Sequence, residues 1–401
     1  MILSSRVKEA QVSITLAVNE KIDQLNQNGI HVYNMTSGQL PFKPSSNFIQ
    51  SILKQLNFLK SYQYAPVSGL KSLRKKFVDW YQVHRQIEFN EEFDCIISNG
   101  SKHSIYNVLG ALINPGDEVI TLAPYWVSYP EMIKFWGGTP IVVKSHAFDN
   151  YTPSIEDIEK VVSSRTKAII INSPNNPAGV HYPVDWMKKF AEFACKHKDI
   201  VLISDELYSE LAYYDPKPRY FYQEKVELLK QTIIINGISK SFASTGLRIG
   251  YCIGDIKLIS AMGKIQSQTT SGASSLIQRA LLDVDFEEMN QYFEPVKEQL
   301  RQCSQIMMTS FRDANMSHCY YQTNSAFYYL LDFSRMPFFE KMPKDQDHSE
   351  QIVQDILEQT GVALVPGTSF GFPNSARMSM TLELAPFKEA ISKLMEFFTS
   401  K

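Results

Sequence analysis

The sequence has few features of a secreted, metal-bound or membrane-inserted protein. Its 401 residues include only five cysteines, which are scattered and never form a Cys-x-x-Cys pair. An odd, unclustered set of this kind argues against a disulfide framework or a metal site and fits a reducing compartment. No apolar run approaches the roughly 20 residues of a membrane-spanning helix, and the N-terminal segment lacks the apolar core of a signal peptide. We therefore expect a cytoplasmic protein with no metal and no membrane partner.

The chain also lacks a large excess of charge of either sign. The chain has 40 basic and 42 acidic residues and a formal net charge of -2. Proteins that bind nucleic acids usually carry a basic face, so no nucleic-acid partner is expected. A Gly-x-Gly-x-x-Gly fingerprint after the first predicted strand is missing as well, which argues against a Rossmann-type oxidoreductase.

Short apolar runs alternate with helical patterns through the middle of the chain. Continuous runs rich in Ile and Val are typical of strands covered on both faces, and their alternation with helices predicts a mostly parallel sheet. The predicted fold class is α/β, with a large domain at residues 46–284. Seven strands are predicted, at Cys95–Ser98, Glu118–Leu122, Ile141–Lys144, Ala168–Asn172, Val201–Ser204, Thr232–Asn236 and Ile249–Ile253. Helices are predicted between them, for example at Ser101–Ile113 and Val184–Lys196.

The two ends of the chain predict a smaller α+β domain. Residues 285–401 begin with a long helical pattern, and residues 1–45 are joined to them because they too contain a helix followed by a short strand. The predicted elements are helices at Ser13–Asn28, Glu287–Phe311 and Phe387–Phe398 and a strand at Phe327–Asp332. Ligands of open α/β sheets bind beyond the C-terminal ends of the strands. The motifs that carry chemistry follow such ends.

Lys240 is the most informative residue of the chain. It follows the apolar run Thr232–Asn236, has small residues beside it, and precedes Arg248 by eight residues. A lysine after such a run is usually a solvated surface residue. It can instead be a buried amine beside a phosphate site, and an amine together with a cation is what a protein needs to hold pyridoxal phosphate.

Asp205 ends another very apolar run and is followed by Tyr208. A carboxylate at this place would be poorly solvated unless a cation, such as a protonated ring nitrogen, paired with it. Tyr208 could reach the same ring. The ordinary alternative is an aspartate that caps the N-terminus of a helix.

Four further motifs have equally ordinary alternatives. Gly100 and Ser101 could form a phosphate-binding turn at a helix start, or Ser101 could cap that helix. Trp126 could stack on a planar ligand or belong to the core. Asn176 lies in a turn-forming segment and could bind an oxygen of a ligand. Arg377 lies in an alternating strand, where it could clamp a carboxylate or face solvent.

Taken together, these motifs resemble those of the class I and II aminotransferases of pyridoxal-phosphate fold type I, particularly the bacterial aspartate and aromatic aminotransferase subgroup. The likeness extends along essentially the whole chain. It is densest in Tyr62–Arg74, Asn114–Pro130, Asn172–Gly179, Ser204–Tyr208, Asn236–Gly250 and at Arg377. The resemblance implies an enzyme that moves the α-amino group of an L-amino acid, aspartate or an aromatic amino acid, to a 2-oxo acid such as 2-oxoglutarate. It also implies ping-pong kinetics through pyridoxamine phosphate and a homodimer. A β-lyase or synthase on the same fold is the alternative.

The resemblance implies a role for each residue around the cofactor ring. Lys240 would bond covalently to pyridoxal 5'-phosphate and act as the catalytic base. Asp205 would pair with the protonated ring nitrogen. Tyr208 and Asn176 would hydrogen-bond the phenolic oxygen, and Trp126 would stack on the ring.

Further residues are implied at the phosphate and at the substrate. The phosphate would be held by Gly100, Ser101, Lys102 and Arg248, together with Tyr64 from the neighbouring subunit. The substrate pocket would be formed by Gly38, Trp126, Asn176 and Arg377, with Arg377 on the α-carboxylate. The segment Gln39–Pro41 departs from the family pattern where substrate side chains are expected to enter, so the residue that binds the substrate side chain stays open. The candidate cations for a distal carboxylate are Lys102, His103 and Arg279.

Overall fold

The structure is a computed structural model that describes residues 3–9, 14–27, 29 and 31–400. Its strands are β1 (Tyr33–Asn34), β2 (Phe93–Ser98), β3 (Glu118–Ala123), β4 (Thr139–Lys144), β5 (Thr166–Asn172), β6 (Val201–Asp205), β7 (Thr232–Gly237), β8 (Gly250–Asp255), β9 (Tyr328–Asp332), β10 (Val362–Ala363), β11 (Val365–Pro366) and β12 (Ser375–Ser379). Its helices are α1 (Ser5–Glu9), α2 (Ile14–Gln27), α3 (Ser46–Gln55), α4 (Lys71–Arg85), α5 (Ser101–Leu112), α6 (Ser128–Phe135), α7 (Ile155–Val161), α8 (Val184–Lys196), α9 (Phe221–Glu224), α10 (Ile238–Ser241), α11 (Ile256–Thr269), α12 (Ser275–Leu282), α13 (Phe286–Tyr292), α14 (Glu294–Asp313), α15 (Ser349–Thr360) and α16 (Leu384–Ser400).

The central sheet contains seven strands in the order β2-β8-β7-β6-β5-β3-β4. All pairs are parallel except those of β8, which runs antiparallel to both β2 and β7. The prediction of a mostly parallel sheet is confirmed, and the seven strands are the predicted ones with bounds that differ by at most two residues.

Burial on both faces explains why these strands read as continuous apolar runs. In β7 the side chains of Ile233 and Ile235 pack into one core cluster, whereas Ile234 between them packs into the other. Alternate residues of a strand point to opposite faces, so a strand with a core on each side needs apolar residues at every position.

The described residues within 1–45 and 285–401 form two small sheets and the helices α1, α2 and α13 to α16. Strand β1 pairs with β10, and β9, β12 and β11 form an antiparallel sheet. The helix predicted at Ser13–Asn28 is observed as α2; Ser13 and Asn28 themselves lie outside the described residues. The final helix is longer than predicted. The domain boundaries at residues 45 and 284 stay a prediction.

The prediction of one continuous helix at Glu287–Phe311 is wrong. The structure has two helices, α13 and α14, separated at Phe293. Pro295 lies in the first turn of α14, where a missing N–H is tolerated because the first N–H groups of a helix have no partner within it. Helical periodicity continues across such a junction, so the pattern alone does not reveal it.

The ends of neighbouring strands bring the predicted motifs together. In the register of β5 and β6, Asn172 lies opposite Asp205, and β7 continues directly into α10 and Lys240. Among the described residues, no helix is both long enough and apolar enough to cross a bilayer. In the same part of the chain, no three His, Cys, Asp or Glu side chains are grouped as metal ligands.

Candidate active site

A cavity of about 720 Å³ lies beyond the C-terminal ends of the parallel strands. Ten residues proposed from the sequence line it, namely Gly38, Ser101, Lys102, Trp126, Asn176, Asp205, Tyr208, Lys240, Arg248 and Arg377. Gly100 lies directly behind this lining, against Arg248. Tyr64 is the exception, since 95% of its side chain is exposed and it lies outside the cavity of its own chain.

Lys240 is a buried amine in this cavity. Its side chain is only 8% exposed, and its Nζ donates a hydrogen bond to the backbone carbonyl of Gly38. Burial, with smaller contributions from the charges of Arg377 and Arg248, lowers the pKa of Lys240 to about 7. The solvated alternative for this residue is therefore wrong, and a large fraction of the amine is neutral near pH 7.

Asp205 is a buried carboxylate at the end of β6. Its Oδ2 accepts a 2.5 Å hydrogen bond from the hydroxyl of Tyr129, and its Oδ1 accepts one from the backbone N–H of Leu207 at 3.3 Å. Burial raises the pKa of Asp205 to about 6 against the opposing effect of these two hydrogen bonds. No α-helix begins at Asp205, so the helix-cap alternative is wrong. No cationic side chain of the described residues forms an ion pair with it, which leaves the carboxylate free to pair with a cationic ligand atom.

The N-terminus of α5 and Arg248 form an anion-binding corner. Ser101 begins the helix, but its Oγ donates to the carbonyl of Asn236 at 2.9 Å and does not cap it. Gly100 has φ of 84°, and a Cβ there would come within 2.6 Å of an Arg248 guanidinium nitrogen. The guanidinium could shift, but a residue other than glycine would be strained at this positive φ. Helix N–H groups and a guanidinium at one place suit a phosphate.

Lys102 and Trp126 form one wall of the cavity. The Lys102 Nζ lies 4.9 Å from the centroid of the Trp126 ring. Burial and the nearby charge of Arg248 lower the pKa of Lys102. Three cations are candidates for binding a distal carboxylate. Among the described residues, Lys102 is the one of the three that lines the cavity. Arg279 lies at the surface, where it donates to the carbonyl of Lys60.

Arg377 is a buried guanidinium in β12, and the solvent-facing alternative is wrong. Only 4% of it is exposed, because all five residues of β12 are buried. Its terminal nitrogens donate to Oδ1 of Asn176 at 3.2 Å and to the carbonyl of Thr36 at 2.8 Å, and its Nε has no partner among the described residues. No carboxylate of those residues forms an ion pair with it. A buried cation without a counter-charge is suited to an anionic ligand.

Two tyrosines of the site have no role in the sequence-based prediction. Tyr129 donates to Asp205, and the hydroxyl of Tyr328 lies 3.2 Å from that of Tyr208. Tyr328 lines the cavity and is buried. Tyr129 lies three residues after Trp126, and its backbone N–H donates to the carbonyl of Trp126 at 3.0 Å, so this short spacing is a usable signal once Trp126 is placed at the cavity. Nothing in the sequence pairs Tyr328 with Tyr208, which lies 120 residues away.

Comparisons with known proteins identify the family and the fold. The family model described as aminotransferase class I and II matches residues 30–394. A probable aspartate/prephenate aminotransferase of Thermus aquaticus is 32% identical and covers 98% of each chain. An asparagine–oxo-acid transaminase of Streptococcus mutans is 31% identical, also over 98% of each chain. The solved structure of the Thermus thermophilus aspartate aminotransferase with maleate superposes with a TM-score of 0.89 at 30% identity, over 99% of each chain. The family and fold predicted from the sequence are confirmed: the chain belongs to the class I and II aminotransferases and has their fold type I architecture.

Proposed function

We propose that this aminotransferase uses pyridoxal 5'-phosphate and that Lys240 is its reacting amine. The observation that carries the proposal is a buried lysine with a pKa of about 7, in the same cavity as the buried, cation-free carboxylate of Asp205. When bound, this cofactor supplies an aldehyde that captures amino groups and a ring that accepts electron density from the substrate Cα.

The chemistry of the residues present fits that group. Asp205 would hold a proton on the ring nitrogen. Tyr208 and Asn176 would donate to the phenolic oxygen, and Trp126 would cover the ring face. The phosphate would occupy the corner formed by Gly100, Ser101, Lys102 and Arg248. Glycine at position 100 permits the positive φ of this turn, which is consistent with a close backbone approach to a ligand.

Lys240 and Arg377 would act on the amino-acid substrate. A neutral amine at Lys240 can take the proton from the substrate Cα and deliver it elsewhere in the cavity, as a general base and then a general acid. Arg377 would bind the α-carboxylate in two-point fashion, with Gly38 lining the pocket beside it. Fixing the carboxylate orients the Cα–H bond for proton removal.

For the amino donor we propose aspartate first and aromatic amino acids second, with 2-oxoglutarate as an acceptor. Relatives named for aspartate support the first choice. Lys102 supports it too, since it is a cation on the cavity wall that could meet a distal carboxylate. A Lys102→Met variant should separate its two candidate roles. A loss confined to aspartate would indicate the distal carboxylate, and an equal loss with phenylalanine would indicate the phosphate.

The direct test is amino-group transfer followed with single amino acids and 2-oxoglutarate. The purified protein should form the 2-oxo acid of the donor together with glutamate, whereas release of ammonia and pyruvate would indicate a β-lyase. Lys240→Ala should lose about 10²–10⁴-fold or more in rate, the usual contribution of a positioned acid–base group. Lys264→Ala, on the exposed side of α11, is the matched control and should retain the rate. Transfer at the normal rate by Lys240→Ala would refute the role of Lys240.

We also propose that the protein is a homodimer with shared sites. Large apolar side chains are exposed close together in the segment that contains Tyr64, namely Leu53, Leu56, Phe58, Leu59, Tyr62 and Tyr64. An apolar patch of this kind on a protein surface is typical of an interface. A second copy of the chain would cover it and would bring Tyr64 to the phosphate corner of that copy.

A further inference from the structure

Tyr328 touches both halves of the site. Its hydroxyl lies 3.2 Å from the hydroxyl of Tyr208, which is on the cofactor side. Its ring lies under the guanidinium of Arg377, on the substrate side, with 4.6 Å between the Arg377 Cζ and the ring centroid. The residue is 1% exposed, so both contacts are shielded from water.

Once a ligand accepts a hydrogen bond from Tyr208, the hydrogen bond between the Tyr208 and Tyr328 hydroxyls can have only one direction. A hydroxyl has a single hydrogen to donate. If Tyr208 gives its hydrogen to the phenolic oxygen of the cofactor, the hydrogen in the tyrosine pair must come from Tyr328. The two hydroxyls then form a chain in which each bond polarises and strengthens the next.

The ring contact acts on Arg377. The guanidinium also faces the ring of Phe370, at 5.0 Å from its centroid. Two aromatic faces stabilise the charge and fix the plane of the guanidinium without consuming its N–H groups. The orphan Nε of Arg377 therefore stays available for a carboxylate.

We infer that Tyr328 is a positioning residue that sets two properties of the site: its hydroxyl makes Tyr208 a stronger donor to the cofactor, and its ring holds Arg377 in place for the substrate carboxylate. The inference rests on the proposed function, because it requires a cofactor at Tyr208 and a carboxylate at Arg377. It assigns the two effects to different atoms of one side chain, so substitutions can separate them.

The hydroxyl effect is tested by Tyr328→Phe, read from the visible absorbance of the bound cofactor as a function of pH. Tyr208 stabilises the ionised phenolic oxygen, so a weaker Tyr208 donor should move the midpoint of that titration upward. Loss of one whole hydrogen bond, worth about 0.5–1.5 kcal/mol, corresponds to about 0.4–1.1 pH units at about 1.4 kcal/mol per unit. We expect Tyr208→Phe to give the full shift and Tyr328→Phe, which only weakens that bond, a smaller one of about 0.3–0.8 pH unit.

Tyr329→Phe is the matched control. Tyr329 is the next residue of the same strand, is equally buried, and its hydroxyl accepts from the backbone N–H of Tyr321 at 3.2 Å, away from the cavity. It should leave the midpoint unchanged, whereas a general loosening of β9 would move it as much as Tyr328→Phe does. An unchanged midpoint in Tyr328→Phe, or an equal shift in Tyr329→Phe, overturns the inference.

The ring effect is tested by binding of maleate, an unreactive dicarboxylate, to the loaded enzyme. Tyr328→Phe keeps the ring and should bind maleate as before, whereas Tyr328→Leu should bind it about two- to fivefold more weakly, the size of a cation–π contact. Equal weakening in both variants would overturn the assignment to the ring. If Tyr208→Phe leaves the midpoint in place, or the unsubstituted protein fails to bind the cofactor, the proposed function itself fails and the inference with it.

Discussion

At the residue scale, the site is built from buried charges that lack partners within the chain. Lys240, Asp205 and Arg377 are each at least nine-tenths buried, and none forms an ion pair with another described residue. Burying an unpaired charge destabilises a protein, so each of the three favours a ligand of opposite charge or a neutral form. The sequence supplied the residue types and their order. Their burial could not be predicted, because it depends on elements that are distant in the chain. For example, the carbonyl of Thr36 accepts a hydrogen bond from Arg377.

The depressed pKa of Lys240 predicts how covalent capture of pyridoxal phosphate depends on pH. The neutral amine is the reacting form, so in protein stripped of cofactor the capture rate should rise with pH up to about 7 and level off above it. The charge of Arg377 contributes to lowering this pKa, so Arg377→Leu should move the plateau to higher pH. Stopped-flow absorbance measures both curves. A rate that still climbs tenfold per unit between pH 8 and 10, as for an exposed lysine, would contradict the prediction.

At the scale of elements, one close approach holds the anion-binding corner against the sheet. A Cβ at Gly250, the first residue of β8, would come within 2.3 Å of the backbone nitrogen of Ser101. The neighbouring atoms are backbone of the Gly100–Ser101 turn and cannot move aside as a flexible side chain would. The N-terminus of α5 therefore keeps its place only while this position lacks a side chain.

Gly250→Ala is expected to reduce both stability and cofactor affinity. Overpacking of this kind costs about 1–3 kcal/mol, which chemical denaturation will measure as a lower midpoint, and displacement of α5 should weaken pyridoxal phosphate binding. Gly246→Ala is the control, because a Cβ there meets no atom within 4 Å. Equal stability of the two variants would show that α5 tolerates the displacement.

The secondary structure illustrates what sequence patterns can and cannot predict. The strands that became β5, β6 and β7 could be predicted because burial on both faces demands apolar residues at every position. Their order in the sheet could not, since β8 inserts between β7 and β2 by contacts that leave no periodic signal. The break at Phe293 was missed for a related reason, because a proline in the first turn of a helix preserves the apolar spacing.

At the scale of the whole molecule, the segment around Tyr64 exposes several large apolar side chains that nothing in a single chain covers among the described residues. Leu59 is 72% exposed and lies close in sequence to other exposed apolar side chains. Removing such a group of residues from water would stabilise an association between two copies. The site of each copy would then be completed by the other.

Leu59→Asp should therefore produce monomers. A charge in the proposed interface would have to be desolvated in the dimer, so sedimentation velocity should show a shift toward the monomer and the cofactor should bind less tightly. Phe148→Asp is a matched control, because Phe148 is 73% exposed on a different part of the chain. Dimers of Leu59→Asp with unchanged affinity would place the interface elsewhere.

The hydrogen bond from Lys240 to the carbonyl of Gly38 uses the same nitrogen atom that the proposed function assigns to the cofactor. This hydrogen bond ties α10 to the N-terminal segment at Gly38, which lines the cavity. Once the same nitrogen is bonded to another carbon, it has fewer hydrogens to offer. If Lys240 bonds covalently to pyridoxal phosphate, as proposed, loading the cofactor and holding Gly38 would compete for the same nitrogen atom.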